Sequence, residues 1–185
     1  MMDEVSRHRI LSEAEGYLDL ITVFGDRWQL DPIVRDRVAQ RVLGLVEHLQ
    51  QGGDDSADVL HVKGQTLRTM EQYDAAIEPL TAAAEAQPDN VHIWLALGWC
   101  HKRVGRLDLA IESLEEGLAA EPGEAIVYYN LACYWSLANN LQLALEYLSQ
   151  SLELSPRYRD LVAGEPDFDP IRNEPGFQAL ITVIV

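Results

Sequence analysis

The 185-residue chain has only two cysteines, Cys100 and Cys133, and three phenylalanines. Two thiols cannot build the disulfide framework of a small secreted domain, so both are read as small buried or half-buried groups. Positive charge is also scarce: 14 Lys and Arg stand against 30 Asp and Glu, a formal net charge of −16. A phosphate backbone needs a basic surface, so nucleic acid is excluded as a partner. An anionic membrane surface is excluded on the same ground. No run approaches the roughly 20 apolar residues that span a bilayer. The start, Met1-Met2-Asp3-Glu4, is not a basic region leading into an apolar run, so no signal peptide is expected. These absences together point to a cytoplasmic protein.

Signatures of catalysis are missing too. There is no nucleophile elbow, phosphate loop, dinucleotide fingerprint or zinc motif. The five histidines are His8, His48, His61, His92 and His101, and no two share a helix at ligand spacing. The expectation is no catalytic residue, no metal and no cofactor: not an enzyme.

What is present is repetition. Gly64, Gly98 and Ala132 recur at a step of 34 residues. Ala76, Ala110 and Ala144 keep the same step, as do Leu80, Leu114 and Leu148, then Pro88, Pro122 and Pro156. Leu60, Trp94 and Tyr128 place a large apolar group at one phase; Leu67, His101 and Trp135 share another. A fixed period of this length marks a stacked array of helical pairs.

The local chemistry agrees with that. Trp94, Leu97, Gly98 and His101 lie three or four apart, on one helix face. The small residues at 64, 98 and 132 let a second helix approach closely, and the alanines of that helix supply the other half of the approach. Gly105 and Asn139 occupy equivalent turn sites and tolerate the left-handed conformation; Glu71 stands there less comfortably. Asp74 and Asp108 are expected to cap the second helices. The prolines at 88, 122 and 156 close each unit, and Pro79 should bend its helix slightly.

Two helices precede the array. The first is expected over about Ser6 to Phe24, with Ile10, Leu11, Ala14, Leu18 and Ile21 as its stripe and Gly25-Asp26 as its end. The second starts at Asp31-Pro32, carries Ile33, Val34, Val38, Val42, Leu45, Val46 and Leu49, and runs to about Gln50. Glu15-Gly16-Tyr17 faintly repeats the small-residue site. After the array, Pro166, Pro170 and Pro175 punctuate a tail. Its Phe168, Ile171, Phe177 and Leu180 should cover the open face of the last repeat. The end Val183-Ile184-Val185 reads as packed rather than as a peptide ligand for another domain.

The 34-residue units resemble tetratricopeptide repeats, with Trp94-Leu97-Gly98, Ala110, Leu114 and Pro122 matching that pattern most fully. The tail resembles the proline-punctuated ends of many bacterial members. Lys63, where Leu97 and Leu131 stand, and His101, where an aromatic or leucine is usual, depart from the pattern. The resemblance implies an all-α fold: a right-handed superhelical array of antiparallel helix pairs, binding proteins or peptides on its inner face. The expected parts are an N-terminal pair (1–56), repeats over 57–90, 91–124 and 125–158, and a cap over 159–185.

One residue, or about 100°, around from the packed face of each first helix lies a strip. In the first repeat it holds His61, Gln65 and Arg68; in the second His92, Leu95, Trp99 and Lys102, bordered by Arg103; in the third Ile126, Tyr129 and Cys133, bordered by Asn130. The resemblance places this strip on the inner face. Cations beside aromatics suit a peptide carrying a carboxylate and an apolar anchor, and Asn130 can hold an extended backbone. Arg68, Lys102 and Arg103 equally suit the negative ends of their helices, and Trp99 equally suits ordinary packing. The first expectation is a non-catalytic module that binds a peptide or protein segment along this strip. The second is a structural, self-associating assembly subunit using the tail or the outer surface. The third and weakest is an enzyme site built from His61, His92 and Cys133.

Overall fold

In the computed structural model, residues 3–28 and 30–182 are described, with side chains from 3–22 and 30–182. These residues form ten α-helices and two short 3-10 turns, with no strand among them. The helices are α1 (Glu4–Trp28), α2 (Pro32–Gln51), α3 (Ala57–Thr69), α4 (Tyr73–Ala86) and α5 (Val91–Arg103). They continue as α6 (Leu107–Ala120), α7 (Ala125–Leu137), α8 (Leu141–Leu154), α9 (Arg159–Val162) and α10 (Pro175–Thr182). This is the all-α array of antiparallel pairs that the period implies. The chain divides into two compact units, Met1–Pro88 and Asp89–Val185.

In the first unit α1 and α2 pair along an aliphatic core. Leu11, Ala14, Leu18 and Ile21 meet Ala39, Val42, Val46 and Leu49, and Val59 and Val62 of α3 join them. Asp31 caps α2 as expected: its Oδ1 accepts the Ile33 N–H at 2.8 Å, with Pro32 at the first helical position. Three expectations for this pair are corrected. Helix α1 runs through Gly25-Asp26 to Trp28, since a lone glycine costs a helix only about 1 kcal/mol. Ile33 and Val34 are exposed, because the buried stripe of α2 begins at Ala39. Gly16 marks no close approach, for a Cβ there would meet nothing within 4 Å.

The connection 52–56 is fastened by α1. Arg7 Nε pairs with Asp54 Oδ2 at 2.5 Å, and Arg7 also donates to Ser56 Oγ at 2.9 Å. Burial alone would raise the Asp54 carboxyl, but the donors on Arg7 and Ser56 hold it below its ordinary range.

The small-residue argument holds at atomic scale. A Cβ added at Gly64 would fall within 2.7 Å of Leu80 Cδ2, in the facing helix α4. One added at Gly98 would lie 3.2 Å from both the Ala110 carbonyl and Leu114 Cγ. Ala132, Ala144 and Leu148 are fully buried at the third equivalent place. Packing this close leaves no room for a methyl group without displacement.

The turns also repeat. Glu71, Gly105 and Asn139 all have positive φ, at 61°, 80° and 58°. Each is followed by a backbone bond closing the helix end: Gln72 to Leu67, Arg106 to His101 and Asn140 to Trp135, each at 2.9 Å. Helices α4, α6 and α8 stop at Ala86, Ala120 and Leu154, each two residues before its proline. Helix α4 runs unbroken through Pro79. The expected caps need correction: Asp74 and Asp108 lie at the second helical position rather than at the cap, where a carboxylate favours the positive helix end. Asn140 does cap α8, accepting the Leu143 N–H at 3.2 Å.

In the second unit the tail packs back on the last pair. Phe168, Ile171 and Phe177 are buried in one cluster with Tyr129, Leu131, Tyr134, Leu148 and Leu152, and Leu180 packs against it. The Val183-Ile184-Val185 end lies outside the described residues.

Candidate functional site

The strip positions are separated by three or four residues along α3, α5 and α7, so the helical period puts each set on one face. In the first unit His61, Gln65 and Arg68 are half-buried on α3. Gln65 Nε2 and His61 Nε2 lie 3.0 Å apart and share a hydrogen bond along the helix.

In the second unit α5 holds His92 and Arg103 exposed, and Leu95, Trp99 and Lys102 half-buried. Lys102 Nζ stands 5.0 Å from the centroid of the Trp99 ring, and Arg103 Cζ stands 5.9 Å from it. Both cations meet the electron-rich face of the indole, and an aromatic beside such donors suits an anionic or polar segment with an apolar anchor. Both cations also occupy the last turn of α5, so they offset the negative helix end as well.

On α7 the strip is not open. Tyr129 and Cys133 are buried, while Ile126 and Asn130 are half-buried. The cover is the chain's own tail. Tyr158 stacks on Tyr129 with ring centroids 5.0 Å apart, and Phe168 meets it edge-on at 5.8 Å. Phe177 backs Phe168 at 5.3 Å. Asp167, next to Phe168, forms an ion pair with Lys102 Nζ. The two side chains retain only 15% and 17% of their exposure, so the pair is largely withdrawn from water. Tyr129 and Cys133, two of the expected strip residues, are therefore covered by the tail.

Burial pushes the Cys133 thiol well up, and Glu165 and Asp167 push the same way against Lys102 and a backbone hydrogen bond. A thiol so placed stays protonated and is a poor nucleophile. Burial likewise raises the Tyr129 and Tyr134 hydroxyls. No three His, Cys, Asp or Glu side chains converge as a metal set among the described residues.

Sequence reasoning anticipated that Phe168 would cover the last repeat but missed Asp167 and Arg172. Arg172 donates to the Ala163 carbonyl at 3.0 Å, to the Glu165 carbonyl at 2.6 Å and to Asp169 Oδ1 at 2.8 Å. It gathers the proline-broken stretch into one shape that aims Asp167 and Phe168 at the strip. The signal was legible: an aspartate beside a phenylalanine is the carboxylate-plus-anchor chemistry that the strip was expected to take.

A stack of helix pairs with closely packed small residues defines a helical-repeat protein. Residues 67–132 match the tetratricopeptide repeat family. The matched residues carry the repeat, and the fold of the chain is that of a tetratricopeptide repeat solenoid. Solved structures agree. MamA of strain MSR-1 is 25% identical, with 82% of this chain and 95% of that one covered and a TM-score of 0.62. MamA from Desulfovibrio magneticus RS-1, residues 41 to the end, is 19% identical over 82% and 92% at 0.60. YrrB, described as a TPR protein with an unusual peptide-binding site, is 20% identical over 83% and 84% at 0.64. No curated protein matches by sequence. Tetratricopeptide repeats are, as a class, protein-interaction modules. No helix among the described residues is long and apolar enough to cross a membrane.

Proposed function

We propose that the chain is a non-catalytic, cytoplasmic module that captures a peptide or protein segment on the first-helix strip of its second unit. The observation that carries this is Trp99 half-buried beneath two cations, with exposed Arg103 and His92 and half-buried Leu95 along the same helix face. An aromatic with adjacent guanidinium and ammonium groups is the composition of interaction hot spots. Half-buried Ile126 and Asn130 extend the strip on α7. His61, Gln65 and Arg68 form the corresponding face of the first unit, and YrrB's peptide-binding site supports the same use of the fold.

The test is affinity capture from native lysate with wild type and with Trp99→Ala plus Arg103→Glu. The expected outcome is loss of the partners that wild type retains. Unchanged capture would refute the assignment.

A second reading is self-association through the tail or outer surface. It rests on Leu154 and Leu161, both about half exposed, at the end of α8 and in α9. A concentration-dependent dimer in sedimentation, abolished by Leu161→Lys, is the result it requires.

A further inference from the structure

The tail of the second unit does more than cover an apolar face. Four features of Glu165-Pro166-Asp167-Phe168 match what a bound peptide would offer. Its backbone forms a short 3-10 turn bounded by proline and held by Glu165, whose Oε1 accepts the Asp167 N–H at 3.2 Å. Asp167 takes Lys102, a strip cation. Phe168 makes a T-shaped contact with the ring of strip residue Tyr129. The segment is set by Arg172 from behind, on backbone carbonyls rather than on the strip.

The fit is also incomplete. Tyr129 Oη and Ser136 Oγ lie on the same face of α7 and are buried, and neither has a hydrogen-bond partner among the described residues. Covering a hydroxyl without partnering it disfavours the covered state. An occupant that reached these two groups as well as Lys102 and Tyr129 would fit better than the tail does.

Resting on the peptide-binding reading above, we propose that Glu165–Phe168 is a tethered occupant of the strip, and that the partner which displaces it is an acidic–aromatic peptide segment of another protein, an aspartate followed by phenylalanine. The tether keeps the resident segment at high local concentration, so weak or mismatched peptides do not enter. The strip is thereby gated by the chain's own copy of the chemistry it recognises.

The probe is a fluorescein-labelled peptide copying residues 163–171, titrated by anisotropy against the full chain. The strip is loosened with Asp167→Asn, which keeps Phe168 in the core, and separately with Arg172→Ala. Each loosened variant should bind the peptide on the order of tenfold more tightly than wild type, as release of a tethered competitor requires. Adding Lys102→Met to Asp167→Asn should remove that gain, and a peptide with the aspartate that copies Asp167 changed to asparagine should bind less. Helical content by circular dichroism and amide exchange along α7 establish that the variants are folded. Equal binding by wild type and both folded variants would overturn the proposal, and so would an equal gain for a scrambled peptide. Wild type sedimenting as a tail-exchanged dimer would overturn it too, by making a second copy the occupant. If the peptide fails while capture still depends on Trp99 and Arg103, the gating falls and the binding strip stands. If capture is indifferent to those two residues, the binding strip itself falls.

Discussion

The two ends of the molecule are closed by different physics. The first unit closes with long regular helices, α1 and α2, whose buried side chains, among the described residues, are aliphatic or alanine. The second closes with fragments: two 3-10 turns, a four-residue α9 and an eight-residue α10. A continuous helix buries a stripe through its 3.6-residue period. A proline-broken tail has no such stripe, so it relies on a few large anchors: Tyr158, Phe168 and Phe177, with the Asp167–Lys102 ion pair and an arginine, Arg172, that binds backbone. A periodic closure spreads its stability over many small contacts; an anchored closure concentrates it. Only the second leaves a chemically specific segment lying on a strip.

The largest effect expected from this contrast is Phe168→Ala. It empties a fully buried site and should cost about 3–5 kcal/mol, read by denaturant unfolding. Amide exchange should show the loss along α7 and leave α1 and α2 protected. In the aliphatic end, Val46→Ala removes one member of a distributed core and should cost less, about 1–3 kcal/mol. Equal costs would erase the distinction between the two closures.

Next comes the shared packing device. Gly64→Ala should destabilise by about 1–3 kcal/mol, because the new methyl meets Leu80 within 2.7 Å. Gly98→Ala meets its neighbours at 3.2 Å and gains helix propensity, so its net change should stay below about 1 kcal/mol. The difference between the two midpoints checks that close approach, not glycine itself, matters.

Glu71→Gly should stabilise the first unit by about 0.5–1 kcal/mol, since it relieves a positive φ of 61°. It gives up the 2.9 Å pair with Arg35, but Glu71 is mostly exposed and such pairs contribute little.

The smallest effect is a pH dependence in the second unit. Burial lowers the His101 pKa below its ordinary 6.5 and Arg106 lowers it further, against Asp108 and Glu112. The unfolded chain therefore binds the proton more readily. Stability from this site is full above about pH 6.5 and falls as the pH drops below it. In His101→Leu, melting temperature should vary less between pH 7 and 5.5 than in wild type.

Much of this was legible in the residues. The helix pairs, the close approach at Gly64 and Gly98, the left-handed turns and the closing prolines all follow from local geometry repeated three times. What was misread involves longer range. Gly25-Asp26 reads as a stop, but propensity is weak against a helix already propagating. Asp74 and Asp108 look like caps, yet they sit one residue inside helices that start earlier. Cys133 and Tyr129 look like lining because nothing in their spacing reveals that residues some thirty to forty positions later fold over them. The Asp-Phe pair at 167 and 168 was legible as chemistry, but nothing local told where Arg172 would hold it.

By itself, the order of residues determined that this chain is a stack of paired helices, because each element depends on neighbours within a few positions and the pattern recurs too often to be accidental. Only the tertiary structure decided which surfaces stay available. Whether Lys102 meets solvent, a partner or Asp167 depends on where a proline-broken segment with no period of its own comes to rest. That is settled by the burial of Phe168 and the desolvation of one ion pair, interactions between residues far apart in the chain.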